Sequence, residues 1–275
     1  MMYRCLIANR GEIAVRIIRA CRELNIETVA IYAKGDENSL HVSLADQAIC
    51  IGEANPLDSY LNIDRIISAA KVTESNAIHP GYGFLSESTN FAKAVEDNHI
   101  HFIGPSKTTM EMMGDKITAR QTVKQAGVPV IPGSNDAVQS VDEIKLLAKE
   151  IGFPVVLKAA SGGGGKGIRI VKEASQLDQA LKEAKSEGQK YFNHHRVYVE
   201  AFKPVATQVE VQIIGDVKNN YVNLGERDCS VQRKNQKLIE EAPCAALTAQ
   251  RRTRLCIDAV KVAHASKYPY TGTIE

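Results

Sequence analysis

The sequence lacks any apolar run of membrane length, and its N-terminal apolar stretch between Arg4 and Arg10 is too short for a signal peptide. Charge of neither sign dominates, since 34 Lys and Arg residues face 32 Asp and Glu residues for a net charge of +2. No overall field therefore favours nucleic acid or an anionic membrane as a partner. We expect a cytoplasmic globular protein, whose 275 residues allow one large domain or two modest ones.

A Cys-x-x-Cys motif is also missing, although the chain has six cysteines. These residues are widely scattered, at Cys5, Cys21, Cys50, Cys229, Cys244 and Cys256. Their spacing argues against a zinc site or a disulfide framework, and it fits reduced thiols that pack as small hydrophobic side chains. Internal repeats and low-complexity tracts are absent too, apart from one glycine-rich turn.

The first part of the chain alternates short β-rich runs with helical patterns. Residues 3–8 are typical of a buried strand, apolar residues then recur at helical spacing from Ile13 to Leu24, and residues 28–32 form a second β-rich run. Further strands and helices alternate in the same way as far as Ile103. This pattern predicts a parallel, Rossmann-like sheet covered by helices and ending near Gly114.

A second unit follows a helix predicted over residues 116–125 and a Pro- and Gly-rich junction that ends at Gly133. Runs at 208–214 and 221–224 flank a polar turn and predict a β-hairpin, and residues 248–266 predict a long helix. The last residues, 270–275, have the pattern of a strand that has nothing after it to pair with. We therefore expect the chain to be a fragment of a longer protein.

The strongest local motif is Lys158 at the end of a β-rich run, followed by the turn Ser161-Gly162-Gly163-Gly164-Gly165-Lys166-Gly167 and a second β-rich run. A strand-end lysine can place a point charge on phosphate, and glycine backbone lets several N–H groups approach phosphate oxygens. The pattern is not a Walker motif, which opens a helix after Gly-Lys-Ser/Thr. A phosphate-covering loop is favoured over a flexible linker.

Three other motifs leave more than one interpretation open. The segment Asn9-Arg10-Gly11-Glu12 follows the first strand but lacks the Gly-x-Gly-x-x-Gly fingerprint, so it is either a ligand site or a plain helix start. The loop at residues 79–87 combines His, Tyr and Glu with two glycines, which suits a functional loop, although an isolated His before Pro is more often structural. Residues 225–237 alternate charge, which suits either a solvated face or a cleft for ATP and a small oxyanion.

Taken in order along the chain, these motifs resemble the biotin carboxylase family. The blocks are Ile7-Ala8-Asn9-Arg10-Gly11-Glu12-Ile13-Ala14, His79-Pro80-Gly81-Tyr82-Gly83-Phe84-Leu85-Ser86-Glu87, Met113-Gly114-Asp115-Lys116, the Lys158 glycine turn, Gly225-Glu226-Arg227-Asp228-Cys229-Ser230 and Glu240-Glu241-Ala242-Pro243. The resemblance implies an α/β fold: a Rossmann-like N-terminal domain over 1–114, a linker and helix over 115–133, an ATP-grasp lid over 134–202, and the start of the ATP-grasp C-terminal domain over 203–275.

The resemblance also implies roles for individual residues. Lys116 and Lys158 would hold ATP phosphates, and Gly164 with Gly165 would close over them. The hinge Glu200, Ala201, Phe202 and Lys203 would contact adenine. Lys237 would be the catalytic, bicarbonate-binding lysine, Tyr82 and Gln232 would contact the substrates, and Glu275 would bind both nucleotide and metal.

Two positions differ from the commonest family pattern. Gln208 and Asn235 stand where many members carry a histidine at the nucleotide site. Both amides can still hydrogen-bond a ribose or phosphate, so we expect altered nucleotide affinity and retained function. The remaining metal ligands and two functional arginines of the family would fall after Glu275, so we expect negligible turnover from these residues alone.

The activity implied is carboxylation of biotin by ATP and bicarbonate through carboxyphosphate, as the first half-reaction of acetyl-CoA carboxylase in fatty acid synthesis. The cofactors would be ATP with Mg²⁺ or Mn²⁺, and biotin would be presented on a carrier protein. A carboxyltransferase and a second copy of the chain would be further partners. Two alternatives remain open, namely another ATP-grasp ligase of the carbamoyl-phosphate synthetase type and a non-catalytic nucleotide-binding fragment.

Overall fold

The computed structural model describes residues 3–160, 167–192, 194–233 and 236–275. The chain divides into two compact units, Met1–Met110 and Glu111–Glu275. The strands are β1 Arg4–Ile7, β2 Glu27–Ala33, β3 Gln47–Gly52, β4 Ala77–His79, β5 His101–Phe102, β6 Val155–Ala159, β7 Ile168–Val171, β8 Val197–Ala201, β9 Val209–Gly215, β10 Tyr221–Arg233, β11 Gln236–Glu241 and β12 Tyr270–Ile274. The helices are α1 Gly11–Glu23, α2 Leu40–Leu44, α3 Ile63–Val72, α4 Thr89–Asp97, α5 Lys107–Gly114, α6 Lys116–Gln125, α7 Val141–Ile151, α8 Leu177–Phe192 and α9 Ala249–Ser266.

The first unit is built on a parallel sheet with the strand order β3-β2-β1-β4-β5. In β1, Cys5 pairs with Thr28 of β2 on one side and with Ala77 of β4 on the other. Helices cover both faces, which explains why β1 consists mostly of buried apolar residues. The predicted parallel sheet is confirmed.

The order of strands in this parallel sheet reverses at β1, because β2 and β3 lie on one side of it while β4 and β5 lie on the other. Parallel sheets of this kind place ligand-binding loops beyond the carboxyl ends of the strands at such a point. Two of the sequence motifs follow β1 and β4 there. Gly11 takes the left-handed φ of +67° as the chain turns from β1 into α1, a conformation that glycine adopts at little cost.

The second unit contains two antiparallel sheets. The smaller has the order β7-β6-β8, and α7 and α8 contribute to the core beside it. The larger has the order β11-β10-β9-β12, with α9 packed against β9 and β10. The predicted hairpin is confirmed as β9 and β10, and the strand predicted at the end of the chain is β12, which pairs with β9 through Gly272 and Ile213.

Several predicted helices have the expected bounds. Helix α6 covers the predicted residues, and the Asp115 side chain accepts a 2.9 Å hydrogen bond from the backbone N–H of Thr118 at its first turn. Helix α9 begins after Thr248, whose side chain caps it. Helices α2 and α5 were not predicted from the sequence. No helix in the described part of the chain is long and apolar enough to cross a membrane.

Candidate functional site

A buried carboxylate links two strands of the small sheet. Glu200 on β8 is 4% exposed, and it pairs directly with Val156 of β6. Lys158 lies two residues further along β6, on the same face as Val156, because side chains alternate along a strand. Its Nζ donates a 2.6 Å hydrogen bond to Glu200 Oε2. The small sheet therefore holds the predicted phosphate-binding lysine in place through an ion pair.

Helix α6 brings a third charged residue to the same carboxylate. Arg120 Nη1 donates to Glu200 Oε1 at 2.6 Å, and its guanidinium lies 5.8 Å from the ring centroid of Tyr198. The first residue of α6, Lys116, donates its backbone N–H to Ala160 O at 2.9 Å, just beyond β6. Both predicted phosphate lysines thus belong to elements that meet at the end of β6.

The glycine turn joins β6 to β7. Gly164 and Gly165 lie outside the described residues, as does Asn235, so their predicted roles stay predictions. The strands on either side of the turn are paired, with Lys158 opposite Ile168. The backbone N–H of Gly167 donates to Glu187 Oε2 of α8 at 2.9 Å, which anchors the second end of the turn.

The predicted adenine hinge lies where the chain leaves the small sheet. Ala201 is buried and donates its N–H to Pro132 O at 2.8 Å. Phe202 donates its N–H to Pro154 O at 3.0 Å. Lys203 is exposed. These two backbone hydrogen bonds fix Ala201 and Phe202 against the segments that contain Pro132 and Pro154.

A second cluster lies on the larger sheet around Lys237 of β11. Lys237 Nζ donates to Glu275 Oε1 at 2.7 Å and also to Glu210 of β9. Glu210 accepts a second charged hydrogen bond at 2.7 Å, from Nε of Arg227 on β10. The Glu210 side chain is only 3% exposed. Two carboxylates therefore fix the direction of the Lys237 ammonium, and one of them is itself fixed by Arg227.

These contacts decide the charge state of the cluster. Burial alone would lower the pKa of Lys237, but the hydrogen bonds from its ammonium to Glu210 and Glu275 outweigh burial and raise that pKa well above its ordinary value. Burial likewise opposes the charged form of Glu210, yet hydrogen bonds from Lys237 and Arg227 leave its pKa lowered. At neutral pH Lys237 is therefore a fixed cation that can bind an anion and cannot accept a proton.

Two glutamines complete this cluster. Gln232 Nε2 donates to Gln208 Oε1 at 2.6 Å and to Cys229 O at 2.7 Å. Gln208 Nε2 in turn donates to Glu275 Oε2 at 3.1 Å. The structure thus brings four predicted site residues, Gln208, Gln232, Lys237 and Glu275, into one hydrogen-bonded group.

Tyr82 belongs to the first unit, in the loop between β4 and α4. Its side chain is 59% exposed, and its carbonyl accepts a 2.8 Å hydrogen bond from Asn9 Nδ2. The same amide donates to Pro80 O at 2.8 Å. Phe84, two residues on, stacks on Tyr60 with ring centroids 5.2 Å apart. The loop is fastened at both ends and presents the Tyr82 ring to solvent.

Three charged residues of these clusters, Arg120, Glu210 and Arg227, had no role predicted from the sequence. The predicted hairpin places Glu210 on the strand next to β10, but counting residues from the turn does not identify the residue that pairs with it. Asn223 pairs with Ile213, so unbroken antiparallel pairing would set Glu226 opposite Glu210. A bulge between Asn223 and Glu226 instead moves Arg227 there.

The predicted metal ligand Glu275 has suitable chemistry. Its half-exposed carboxylate supplies hard oxygen atoms of the kind that Mg²⁺ prefers. A separate group, Glu210, Cys229 and Glu240, has potential ligand atoms within 4.8 Å of one another. That group does not suit Mg²⁺, because Glu210 is already compensated by Arg227 and burial raises the pKa of the Cys229 thiol.

Each of the two units matches a known domain family. Residues 1–110 match the biotin carboxylase N-terminal domain, and residues 115–275 match the ATP-binding domain of the carbamoyl-phosphate synthase L chain. The chain therefore belongs to the biotin carboxylase family, with an ATP-binding domain of the carbamoyl-phosphate synthase type.

Individual relatives are close. Biotin carboxylase 1 of Bacillus subtilis (strain 168) is 50% identical over 275 residues, which are 100% of this chain and 61% of that protein. A crystal structure of a biotin carboxylase–β-γ-ATP complex from Campylobacter jejuni matches with a TM-score of 0.95 and 47% identity, over 99% of this chain and 61% of that one.

A third relative is the biotin carboxylase domain dimer of Hydrogenobacter thermophilus 2-oxoglutarate carboxylase, in complex with MgADP, ADP and bicarbonate. It matches with a TM-score of 0.92 and 46% identity, over 99% of this chain and 60% of that one. The chain thus spans about three fifths of the length of these relatives.

Proposed function

We propose that the native protein carrying these residues carboxylates biotin with ATP and bicarbonate, through carboxyphosphate. The main support is the position of Lys237, whose ammonium group is fixed by ion pairs with Glu210 and Glu275. A fixed ammonium group suits bicarbonate, since it stabilises negative charge without reorganising when the anion reacts. The relatives named above, two of them bound to nucleotides and one also to bicarbonate, support this assignment.

ATP binds, in this proposal, across the small sheet and its neighbours. Lys116 and Lys158 contact the phosphates, the glycine turn with Gly164 and Gly165 covers them, and residues 200–203 contact adenine. Gln208 and Asn235 hydrogen-bond the ribose or a phosphate in place of the commoner histidines. The domain division that goes with these roles is 1–114, a linker to 133, a lid to 202 and the larger ATP-grasp domain from 203.

The chemistry is phosphoryl transfer followed by carboxyl transfer. A bicarbonate oxygen attacks the γ-phosphorus of ATP, the bond to the leaving ADP breaks, and carboxyphosphate forms. A biotin nitrogen then takes the carboxyl group and phosphate leaves. Lys237 holds the bicarbonate anion while it attacks ATP, and Gln232 and Tyr82 position the substrates. The base that removes the biotin proton is a group other than Lys237, whose raised pKa keeps it protonated.

A divalent cation completes the proposal. Glu275 would hold Mg²⁺, or Mn²⁺ in its place, through its carboxylate. Such an ion neutralises charge on the phosphates and orients them for in-line transfer. Glu275 also contacts Lys237 and Gln208, so this residue joins the nucleotide-binding and bicarbonate-binding groups of the site.

The partners proposed are a biotin carrier protein, a carboxyltransferase and a second copy of the chain. We further propose acetyl-CoA as the final carboxyl acceptor, in fatty acid synthesis. Adding acetyl-CoA, pyruvate or 2-oxoglutarate in turn to the purified native complex with labelled bicarbonate decides this point. Label in malonyl-CoA supports the proposal, and label in a product of either other acceptor overturns its acetyl-CoA part.

The activity itself is tested by measuring ADP release from the native protein. We expect release to require bicarbonate and to rise when free biotin is added. A carbamoyl-phosphate synthetase-type ligase, favoured only by the match over residues 115–275, would form carbamoyl phosphate from ammonia and ignore biotin. ADP release that is indifferent to both bicarbonate and biotin would overturn the proposal.

A further inference from the structure

Glu200 is shared by two cations that come from different elements. Lys158 of β6 donates to its Oε2 and Arg120 of α6 to its Oε1, both at 2.6 Å. The Glu200 side chain is 6% exposed, and the Arg120 side chain is 17% exposed. A carboxylate buried this deeply requires charged partners, because its charge is poorly solvated.

Arg120 is itself held firmly. Its Nη2 donates to Ile131 O at 2.7 Å, while Nη1 binds Glu200 and the guanidinium lies over the Tyr198 ring. A planar guanidinium can satisfy such divergent contacts together, which a lysine cannot. Arg120 also lies four residues after Lys116 on α6, so the two share one face of the helix.

We infer that Arg120 is a positioning residue for the phosphate-binding lysines, acting on Lys158 through Glu200 and on Lys116 through α6. This inference rests on the proposed ATP site and deepens it. Arg120 takes one oxygen of Glu200 and balances its charge, so Glu200 orients the Lys158 ammonium without neutralising the site. Without Arg120, the negative charge of Glu200 would be balanced by Lys158 alone. Lys158 would then have less positive charge to offer the phosphates, and Glu200 would repel them.

The effect should be confined to the phosphates of the nucleotide. In the native protein with Arg120→Gln, which removes both the charge and the guanidinium group, we expect the Kd for ADP to rise about tenfold. The Kd for adenosine, which has no phosphate, should change less than about twofold. Arg120→Lys restores the charge but not the forked geometry, so ADP binding should recover in part.

Arg252 supplies a matched control. It also pairs with a buried glutamate, donating Nε to Glu226 Oε1 at 2.6 Å, and it also bonds a backbone carbonyl, through Nη2 to Cys244 O at 3.1 Å. Arg252→Gln should therefore cost comparable stability, followed as the loss in Tm. It should leave the ratio of the adenosine and ADP dissociation constants unchanged.

Titration calorimetry with ADP and with adenosine, on the wild type and these three variants, tests the inference. A selective loss of ADP affinity in Arg120→Gln supports it. Unchanged ADP affinity, or equal weakening of both ligands, overturns it while leaving the proposed function standing. A wild-type protein that binds no ADP overturns the proposed function as well.

Discussion

Lys237 and Glu275 hydrogen-bond at 2.7 Å although they come from opposite edges of the four-stranded sheet. Lys237 lies on the edge strand β11, and Glu275 directly follows the other edge strand, β12. In a flat sheet, edge strands three steps apart would be roughly 14 Å from each other, at about 4.8 Å per step. Both long side chains therefore reach across the face of the sheet, where Glu210 of β9 also contacts Lys237 and Arg227 of β10 also contacts Glu210.

The first prediction concerns Lys237 itself. Lys237→Gln removes the fixed cation that we assign to bicarbonate, so bicarbonate-dependent ADP release should fall by about 100-fold or more. Nucleotide affinity should change little. Steady-state kinetics with bicarbonate as the varied substrate measures the first effect, and titration calorimetry with ADP measures the second. Lys218→Gln, on the exposed turn between β9 and β10, is the control and should behave as the wild type.

The second prediction concerns stability. Glu210→Gln leaves Arg227 and Lys237 without a buried countercharge, so the free energy of unfolding should fall by about 3 kcal/mol. Glu240→Gln is the control, because its ion pair with Arg227 is a long 3.9 Å contact and its side chain is 43% exposed. That change should cost less than about 1 kcal/mol. Equal losses in denaturant titrations would contradict the role assigned to Glu210.

The third prediction concerns the Tyr82 loop. Asn9→Ala deletes the amide that holds the carbonyls of Pro80 and Tyr82, so the loop loses its fixed conformation. We expect the KM for biotin to rise about tenfold, the cost of about 1.4 kcal/mol of lost hydrogen bonding. The KM for ATP should not change.

The control for Asn9 is Asn98, whose Nδ2 also donates to a backbone carbonyl, that of Ala94, at 2.7 Å. Asn98→Ala should leave both KM values unchanged. If Asn9→Ala raised the KM for ATP as much as the KM for biotin, Asn9 would not act through the Tyr82 loop.

The fourth prediction is a pH dependence of stability. Burial lowers the pKa of His79 from 6.5 to about 4, and its Nδ1 accepts a 3.0 Å hydrogen bond from the Gly81 N–H. The unfolded chain therefore binds this proton more readily than the folded chain. Stability is fully present above about pH 6.5 and declines as the pH falls towards 4, by at most about 3 kcal/mol.

Urea titrations between pH 7 and pH 4.5 measure this slope. His79→Asn keeps an acceptor for Gly81 and should flatten the slope, although not completely, because burial also lowers the pKa of His41. His99→Asn, at an exposed position, should leave the slope as it is. A slope that is the same in all three proteins would contradict the assignment to His79.

Much of the fold could be predicted from the local periodicity of apolar residues. The helix predicted over residues 116–125 has those bounds in the structure, and the β-rich run predicted after the glycine turn is strand β7. Helix α5 was missed, since its sequence, Lys-Thr-Thr-Met-Glu-Met-Met-Gly, has no clear apolar period. Helix α2 was missed because five residues are too few to show a period.

Candidate site residues could be identified from the sequence where they belong to a local motif. Those that depend on strand register or on tertiary contacts could not. Lys158 stands next to a glycine turn and is visible in the sequence. Glu210 and Arg227 meet only because a bulge shifts β10 by one residue. Arg120 meets Glu200 across 80 residues of chain, a distance that no local pattern reports.

The proposed function requires that bicarbonate itself attacks ATP. When bicarbonate labelled with ¹⁸O in every oxygen is supplied with ATP and biotin, attack through a bicarbonate oxygen leaves that oxygen on phosphorus. Mass spectrometry of the released phosphate should therefore find one ¹⁸O atom per phosphate formed. Phosphate without label, accompanied by normal ADP release, would show that water attacks ATP and would contradict the account.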